Sequence, residues 1–422
     1  MRSNFLISMT SLLALALAGG CSKDDSPAPL PDMSEATYTG TGLELYYQGE
    51  AMPGKRAVVK VDKDGGKLDM TFNSILDLSE IAGAGLTGQL QGPGITPGDA
   101  VLTLSAPYTA GDGVYVVSGD GSTDYLTFKY AGEVGKDKMT FSLTDCKLKN
   151  TMLAGNVFAP APLKREGLMD ITSMPFHLVW ELDPAAGIEI PLSEVLKGIV
   201  VAPVIPVYEG TAYTSLAQAF CSLVKTMALT ESGNVPVMYV STLGGAAHVA
   251  TTCGNMIQYV PAENGVKLYL NPLSVFSEFL LATSNNKNDE KFDFAEMFKA
   301  ASETGSDATS VMMDPAVTKA LLMVMIESLA PQIAGGVPMA LEPTAVGADL
   351  YFDTATSVTF LATVLQNVLK NPELSALLQQ ELGKLDLPGV KPEQVGALLQ
   401  ALPGYLTKTT RLEIGLSLVK AS

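Results

Sequence analysis

Histidine is almost missing from this chain: His177 and His248 are the only two in 422 residues. A histidine-rich metal centre is excluded, and an imidazole base has only two places to come from. His177 alternates with Phe176, Leu178 and Trp180, which reads as a partly buried strand position. His248 follows the flexible stretch Gly244-Gly245-Ala246-Ala247, and the local sequence offers too few ligands to hold a metal. Trp180 is the sole tryptophan. That weakens any sugar-stacking site and leaves Tyr46, Tyr47, Tyr115 and Tyr125 to supply one. Charged residues make up 17% of the chain, 27 basic against 44 acidic, for a net charge of −17. Without a Lys/Arg cluster, this balance argues against nucleic acid and anionic lipid headgroups as partners.

Catalytic patterns are also scarce. There is no Gly-x-Ser-x-Gly elbow, no phosphate loop ending in Lys-Ser/Thr, and no dinucleotide fingerprint after a strand. Ser222-Leu-Val-Lys225 and Ser417-Leu-Val-Lys420 both fit Ser-x-x-Lys, but the companion motifs of the penicillin-binding enzymes are missing. Asp62 to Asp69 spaces its carboxylates like a calcium loop yet lacks the closing glutamate, so a hairpin turn explains it. Paired carboxylates for hydrolysis leave no trace in sequence spacing. No catalytic residue, cofactor or metal is assigned, and the expected role is binding or interaction. The ligand is left open as a small molecule, a lipid or a glycan. A carrier of a hydrophobic or lipid ligand is one alternative, a carboxylate-dependent hydrolase another.

Long apolar runs are absent after residue 18. Gly198–Val207 is broken by Pro203 and Pro206, and Leu321–Ile326 is closed by Glu327 and Pro331. Before residue 18 the picture differs. Arg2 precedes the apolar run Phe5–Ala18, too short to span a bilayer comfortably and the right length for a secretion leader. Ala18-Gly19-Gly20-Cys21 resembles a lipobox, and Ser22-Lys23-Asp24-Asp25 is similar to the acidic export signal of surface lipoproteins in Bacteroidota. The resemblance implies a diacylglycerol anchor on Cys21, export directed by Ser22, Lys23, Asp24 and Asp25, and an outer-membrane protein facing the exterior. Many such lipoproteins are known as domains of unknown function. Ser26–Pro31 is Pro-rich, as a semi-stiff tether would be.

The body of the chain reads as α+β in two parts. Residues 1–20 form the leader and 21–35 the lipidated cysteine and tether. Residues 36–182 are predicted to form an antiparallel barrel or sandwich, and 183–422 an α+β domain. In the first part, period-two segments lie at Thr39–Tyr47, Ala57–Asp62, Lys67–Phe72, Val101–Ser105, Val114–Ser118, Tyr125–Tyr130 and Met139–Leu143. Lys63-Asp64-Gly65-Gly66 is a hairpin signal between two of them, while the Gly-rich Ile81–Gly98 interrupts as a long loop. This strand pattern resembles lipocalin-like barrels, without the lipocalin tryptophan signature, and the resemblance implies a hydrophobic-ligand cavity. In the second part, helical periodicity appears at Leu192–Ile199, Leu216–Ala228, Phe294–Ser302, Pro315–Leu329, Ser357–Leu369, Glu373–Leu382 and Pro392–Ala401. Two segments repeat at an offset of 82: Pro261, Gly265, Leu268 and Tyr269 match Pro343, Gly347, Leu350 and Tyr351. Asn271 and Asp353 align as helix caps, and Leu182–Pro191 is a fainter third copy. Once Cys21 is acylated, Cys146, Cys221 and Cys253 remain. An oxidising exterior permits a disulfide, for which Cys221 and Cys253 are the nearest pair.

Overall fold

A computed structural model describes residues 28–77, 89–166, 170–208, 212–241, 248–270, 328, 332–385 and 387–421. Cys21 and Ser22–Asp25 lie outside them, as do Asn271 and the helices expected at Phe294–Ser302 and across most of Pro315–Leu329. The described chain is α+β, built on two curled, largely antiparallel sheets. Among the described residues no helix is long and apolar enough to cross a membrane.

Ten strands form the first sheet: β1 (Glu35–Thr39), β2 (Leu43–Tyr47), β3 (Glu50–Ala51), β4 (Lys55–Asp62), β5 (Lys67–Asp77), β6 (Gln89–Gln91), β7 (Leu102–Ala110), β8 (Tyr115–Ser122), β9 (Leu126–Val134) and β10 (Met139–Leu148). Their order is β1-β4-β5-β7-β8-β9-β10-β2-β3, with β6 beside β5. Strict alternation drives this arrangement, since every second residue of β4 and β9 is buried over most of their length. The expected turn at Lys63–Gly66 is a hairpin, closed by the Gly65 amide donating to Asp62 Oδ1 at 2.8 Å. The single strand expected over Thr39–Tyr47 is instead broken. Gly40–Gly42 makes a 3₁₀ turn with Gly40 at φ +52°, which sends β2 across to pair with β10 in parallel. Tyr47, Phe72, Tyr115 and Phe141 fill the interior, each under 2% exposed. Two of the tyrosines considered for sugar stacking, Tyr47 and Tyr115, are therefore core.

The second sheet recruits strands from both predicted parts. Its members are β11 (Val157–Pro160), β14 (Phe176–Leu182), β17 (Val224–Ala228), β18 (Val237–Ser241), β19 (His248–Thr251), β20 (Ile257–Ala262), β21 (Gly265–Leu270), β22 (Val337–Pro343), β23 (Gly347–Phe352) and β24 (Thr409–Lys420). Two small hairpins, β12 (Lys164–Glu166) with β13 (Asp170–Ser173) and β15 (Pro203–Tyr208) with β16 (Ala212–Ser215), stand apart. The change of sheet thus falls between Leu148 and Val157, not at residue 182, because β11 and β14 pair with β24 more than 200 residues downstream. β23 runs along the other edge of β24.

Helices α1 (Leu192–Val201), α2 (Leu216–Leu223), α3 (Thr354–Lys370), α4 (Pro372–Leu382) and α5 (Val395–Leu406) complete the described fold. Their starts follow the sequence. Ser215, Asp353 and Asn371 accept from Gln218, Thr356 and Leu374 amides respectively, each satisfying an end donor that the helix itself leaves unpaired. The helix expected over Leu216–Ala228 stops at Leu223, where Val224–Ala228 is drawn into the sheet as β17. Both strong copies of the repeat are hairpins, β20–β21 and β22–β23. The faint copy at Leu182–Pro191 is not; Asp183 caps a 3₁₀ turn there instead. Val358, Leu361 and Leu365 of α3 pack with Trp180, Leu192 and Leu398 in a separate core. Cys221 and Cys253 do not form the disulfide that the sequence permits. The Cys221 thiol, on α2, points at the Ala161 carbonyl oxygen, 3.4 Å away; sequence proximity had said nothing of that direction.

A single hydrophobic core runs through both sheets, from Phe141 and Leu143 to Tyr259, Leu350 and Leu418. Polar contacts seal the junction: Glu50 Oε2 accepts from the Gly254 amide at 2.6 Å and the Asn255 amide at 3.4 Å. A first-sheet carboxylate thereby caps a 3₁₀ turn of the second part. Glu50→Ala is expected to lower unfolding stability by about 1–2 kcal/mol, the usual cost of a lost charged cap. Urea unfolding checks it, and an unchanged midpoint would mean that the contact contributes nothing.

Candidate functional site

The second sheet curls until the chain after β17 meets β20. Asn234 and Gln258 form a backbone bridge, the Val235 amide donates to Ile257 O at 2.8 Å, and the Tyr259 amide donates to Gly233 O at 2.7 Å. Eight strands, β18-β17-β11-β24-β23-β22-β21-β20, thus form a ring closed at this end. Barrels of about eight strands have an interior that side chains just fill, or that holds one small ligand. Here an apolar pocket of about 160 Å³ remains, partly open, with Met227, Ile257, Leu268, Met339 and Leu416 only partly buried around it. Every strand of the ring contributes to its wall: Val237, Met227, Phe158, Leu416, Leu350, Met339, Leu268 and Ile257, in that order around it. All its lining residues are apolar. The repeat supplies matched leucines, Leu268 and Leu350, to the same space.

An apolar cavity of roughly 150 Å³ excludes water, which would find no hydrogen-bond partner, and accepts a benzene-sized guest. Met227 and Met339 make this wall adaptable, because unbranched thioethers repack at little cost. The space suits a ring or a short alkyl group and is too small for a whole lipid.

The opposite face of the same strands is polar. His177 of β14 sits between two carboxylates, with Nε2 at 2.8 Å from Glu413 Oε2 and Nδ1 at 3.3 Å from Asp349 Oδ2. Arg411 grips Glu413 with two hydrogen bonds of 2.8 Å. Burial pushes the Glu413 carboxyl up, but the Arg411 and His177 bonds outweigh it and hold the group below its usual value. Ser417 donates to Asp349 Oδ1 at 2.7 Å. Tyr351 stacks on the His177 ring at 4.5 Å and donates to Glu342; burial and that carboxylate raise its hydroxyl to about 12.

Carboxylates therefore do converge beside an open cleft of about 420 Å³, yet they converge on one imidazole, that of His177. Both nitrogens of His177 are engaged, and the Ser417 hydroxyl points to Asp349, not to the imidazole. The nucleophile–base contact of a serine triad is absent from this group. What the cluster does is clip β14, β24 and β23 together across Gly415, which lies between His177 and Tyr351 in register.

The remaining sequence candidates are scattered. His248 opens β19, while Cys146 is buried in β10, its thiol pushed up to about 12 by desolvation. Ser222 is in the last turn of α2 and Lys225 lies beyond the helix in β17, so that Ser-x-x-Lys pair lacks the one-turn helical geometry of the enzymes. Among the described residues no three His, Cys, Asp or Glu side chains are grouped to hold a metal ion. The cavity itself had no signal in the sequence beyond alternating apolar strands. No protein-family model matches the chain, no curated protein is similar to it, and no solved structure matches it.

Proposed function

We propose that this chain is an outer-membrane lipoprotein, anchored through Cys21 and facing the cell exterior, that binds an apolar ligand and does no catalysis on it. The single observation that carries the ligand is the wholly apolar cavity inside the second ring of strands. The address rests on the leader, the Cys21 lipobox and the Ser22–Asp25 signal. A soluble core held near a membrane by its N-terminus suits capture of small hydrophobes or of an apolar ligand tail.

The test uses residues 22–422 with toluene and phenol as probes. Toluene at saturation is expected to raise the melting temperature, and phenol to bind at least tenfold more weakly, since its hydroxyl would be buried without an acceptor. Val266→Phe, which fills part of the cavity, should remove the toluene effect while leaving the protein folded. Equal affinities for the two probes, or no stabilisation by either, would end the binding reading. The anchor is tested separately. Cys21→Ala is expected to abolish palmitate labelling and release the protein from the membrane fraction; a variant still labelled and membrane-bound would refute the lipoprotein assignment.

A further inference from the structure

Away from the cavity, α2 and the segment after β11 enclose a cleft of about 600 Å³ with a different chemistry. Its polar lining comes from Arg165, Lys225, Ser215, Gln218 and Ser222, with the Cys221 thiol beside them, and among the described residues no carboxylate is part of it. In a chain with 44 acidic residues against 27 basic ones, a recess holding two cations and no acid runs against the average surface. The cations are also available. Arg165 spends one guanidinium nitrogen on the Val201 carbonyl at 2.7 Å, which orients the fork, and among the described residues no further partner takes its other N–H groups. Among the described residues nothing pairs with the Lys225 ammonium or the Ser222 hydroxyl.

The layout follows from local structure. Ser215, Gln218 and Ser222 succeed one another at helical spacing along α2, so their polar groups share a face. Lys225 comes from the irregularity in the β17–β18 pairing between Val224 and Thr226, at the end of the same face. Burial raises the Cys221 thiol, with the Lys225 charge opposing. The thiol stays protonated and adds no negative charge that would compete with a ligand.

We infer that this cleft binds a small oxyanion, a phosphate, sulfate or carboxylate group, between Arg165 and Lys225, with Gln218 and Ser222 as neutral donors. A guanidinium fork matches a tetrahedral or planar oxyanion in two hydrogen bonds, and the lysine supplies a point charge. The same chemistry is presented by a free anion and by an anionic lipid headgroup. The net charge of −17 opposes approach to an anionic bilayer, so a soluble oxyanion is the source favoured here. The inference is independent of the apolar cavity and stands or falls without it.

Two arms test it on residues 22–422. In the first, inorganic phosphate is titrated while amide spectra are recorded; saturable shifts confined to Gln218, Ser222 and Lys225 are expected, in the millimolar range usual for a lone anion. In the second, flotation with phosphatidylglycerol and phosphatidylcholine vesicles separates a headgroup source from a free one. The double variant Arg165→Gln/Lys225→Gln alters two exposed side chains, so folding should be unaffected; it is expected to weaken phosphate at least fivefold. Phosphatidylglycerol binding that disappears in the double variant, with no phosphate saturation, would keep the site and assign the headgroup as source. No saturation in either arm, or binding indifferent to the double variant, overturns it.

Discussion

Gly415→Val is expected to leave no folded protein, and Gly415→Ala to cost at least about 3 kcal/mol of unfolding stability. A Cβ at this position would stand 2.1 Å from Leu350 O and 2.4 Å from Tyr351 Cα. Both are backbone atoms of β23, so relief requires prising two central strands apart. It would also enter the space over which His177 and Tyr351 stack at 4.5 Å. Gly265 and Gly347, the repeat glycines, are placed alike: a Cβ on either would lie 2.1 Å from the carbonyl oxygen of the next strand, Met339 or Leu418. Three strands of the ring, β21, β23 and β24, thus each need a missing side chain where a neighbouring backbone comes close. Gly404→Ala in α5 is the control, since nothing lies within 4 Å of its added methyl. It should be neutral or stabilising by about 0.5–1 kcal/mol. Equal stabilities for the 404 and 415 alanine variants by urea unfolding would show the crowding to be unimportant.

The second large effect concerns pH. Lys55 is buried at the start of β4 and donates to Pro93 O at 2.8 Å and Gly94 O at 3.0 Å, two carbonyls and no carboxylate. Desolvation lowers its ammonium to about 8 from 10.5. Between those values the unfolded chain binds more protons than the folded one, so stability must rise with pH across the window. From pH 7 to pH 10 the gain is about 2.5 kcal/mol for this one group. Above pH 10 the trend reverses. Burial holds the Tyr38 and Tyr259 hydroxyls at about 12, so the folded state there keeps protons that the unfolded chain gives up. Urea unfolding at pH steps from 7 to 11 should show the parent gaining stability relative to Lys55→Met up to pH 10, while the variant declines from about pH 9, where the unfolded chain gives up the Cys146 proton that burial keeps in the fold. Parallel profiles for parent and variant would show that Lys55 is not strained in the fold.

Local features of this fold were readable in advance and long-range ones were not. The Lys63–Gly66 turn, the Asp353 cap and the paired hairpins at 257–270 and 337–352 each declare themselves within a dozen residues, because turn and cap chemistry is local. β11 and β14 look like any other alternating strands; nothing in Phe158 or Leu178 says that the partner is β24. For the same reason residues 149–182 were assigned to the first sheet by adjacency alone. The helix through Leu216–Ala228 was drawn too long since neither glycine nor proline marks its end, and β17 is claimed by its neighbours rather than by propensity. His177 was legible as a half-buried strand residue, while Asp349 and Glu413 were invisible as its partners at 172 and 236 positions away. The cavity was the least legible feature. Leucines that line a void and leucines that fill one alternate identically along a strand.

β24 has a consequence for how the molecule is made. It is the middle of the second sheet, joined to β11, β14 and β23, yet it spans residues 409–420 and is synthesised after all of its partners. Until the ribosome has delivered it, β14 has no sheet to join and β11 has β17 alone for a neighbour, so the ring cannot be completed from the N-terminus forward. Pairing Phe158 with Lys420 means closing a loop of some 260 residues, which is slow on topological grounds. A stop codon anywhere before Thr409 should therefore yield a product with a foldable first sheet and a second half left open to proteases.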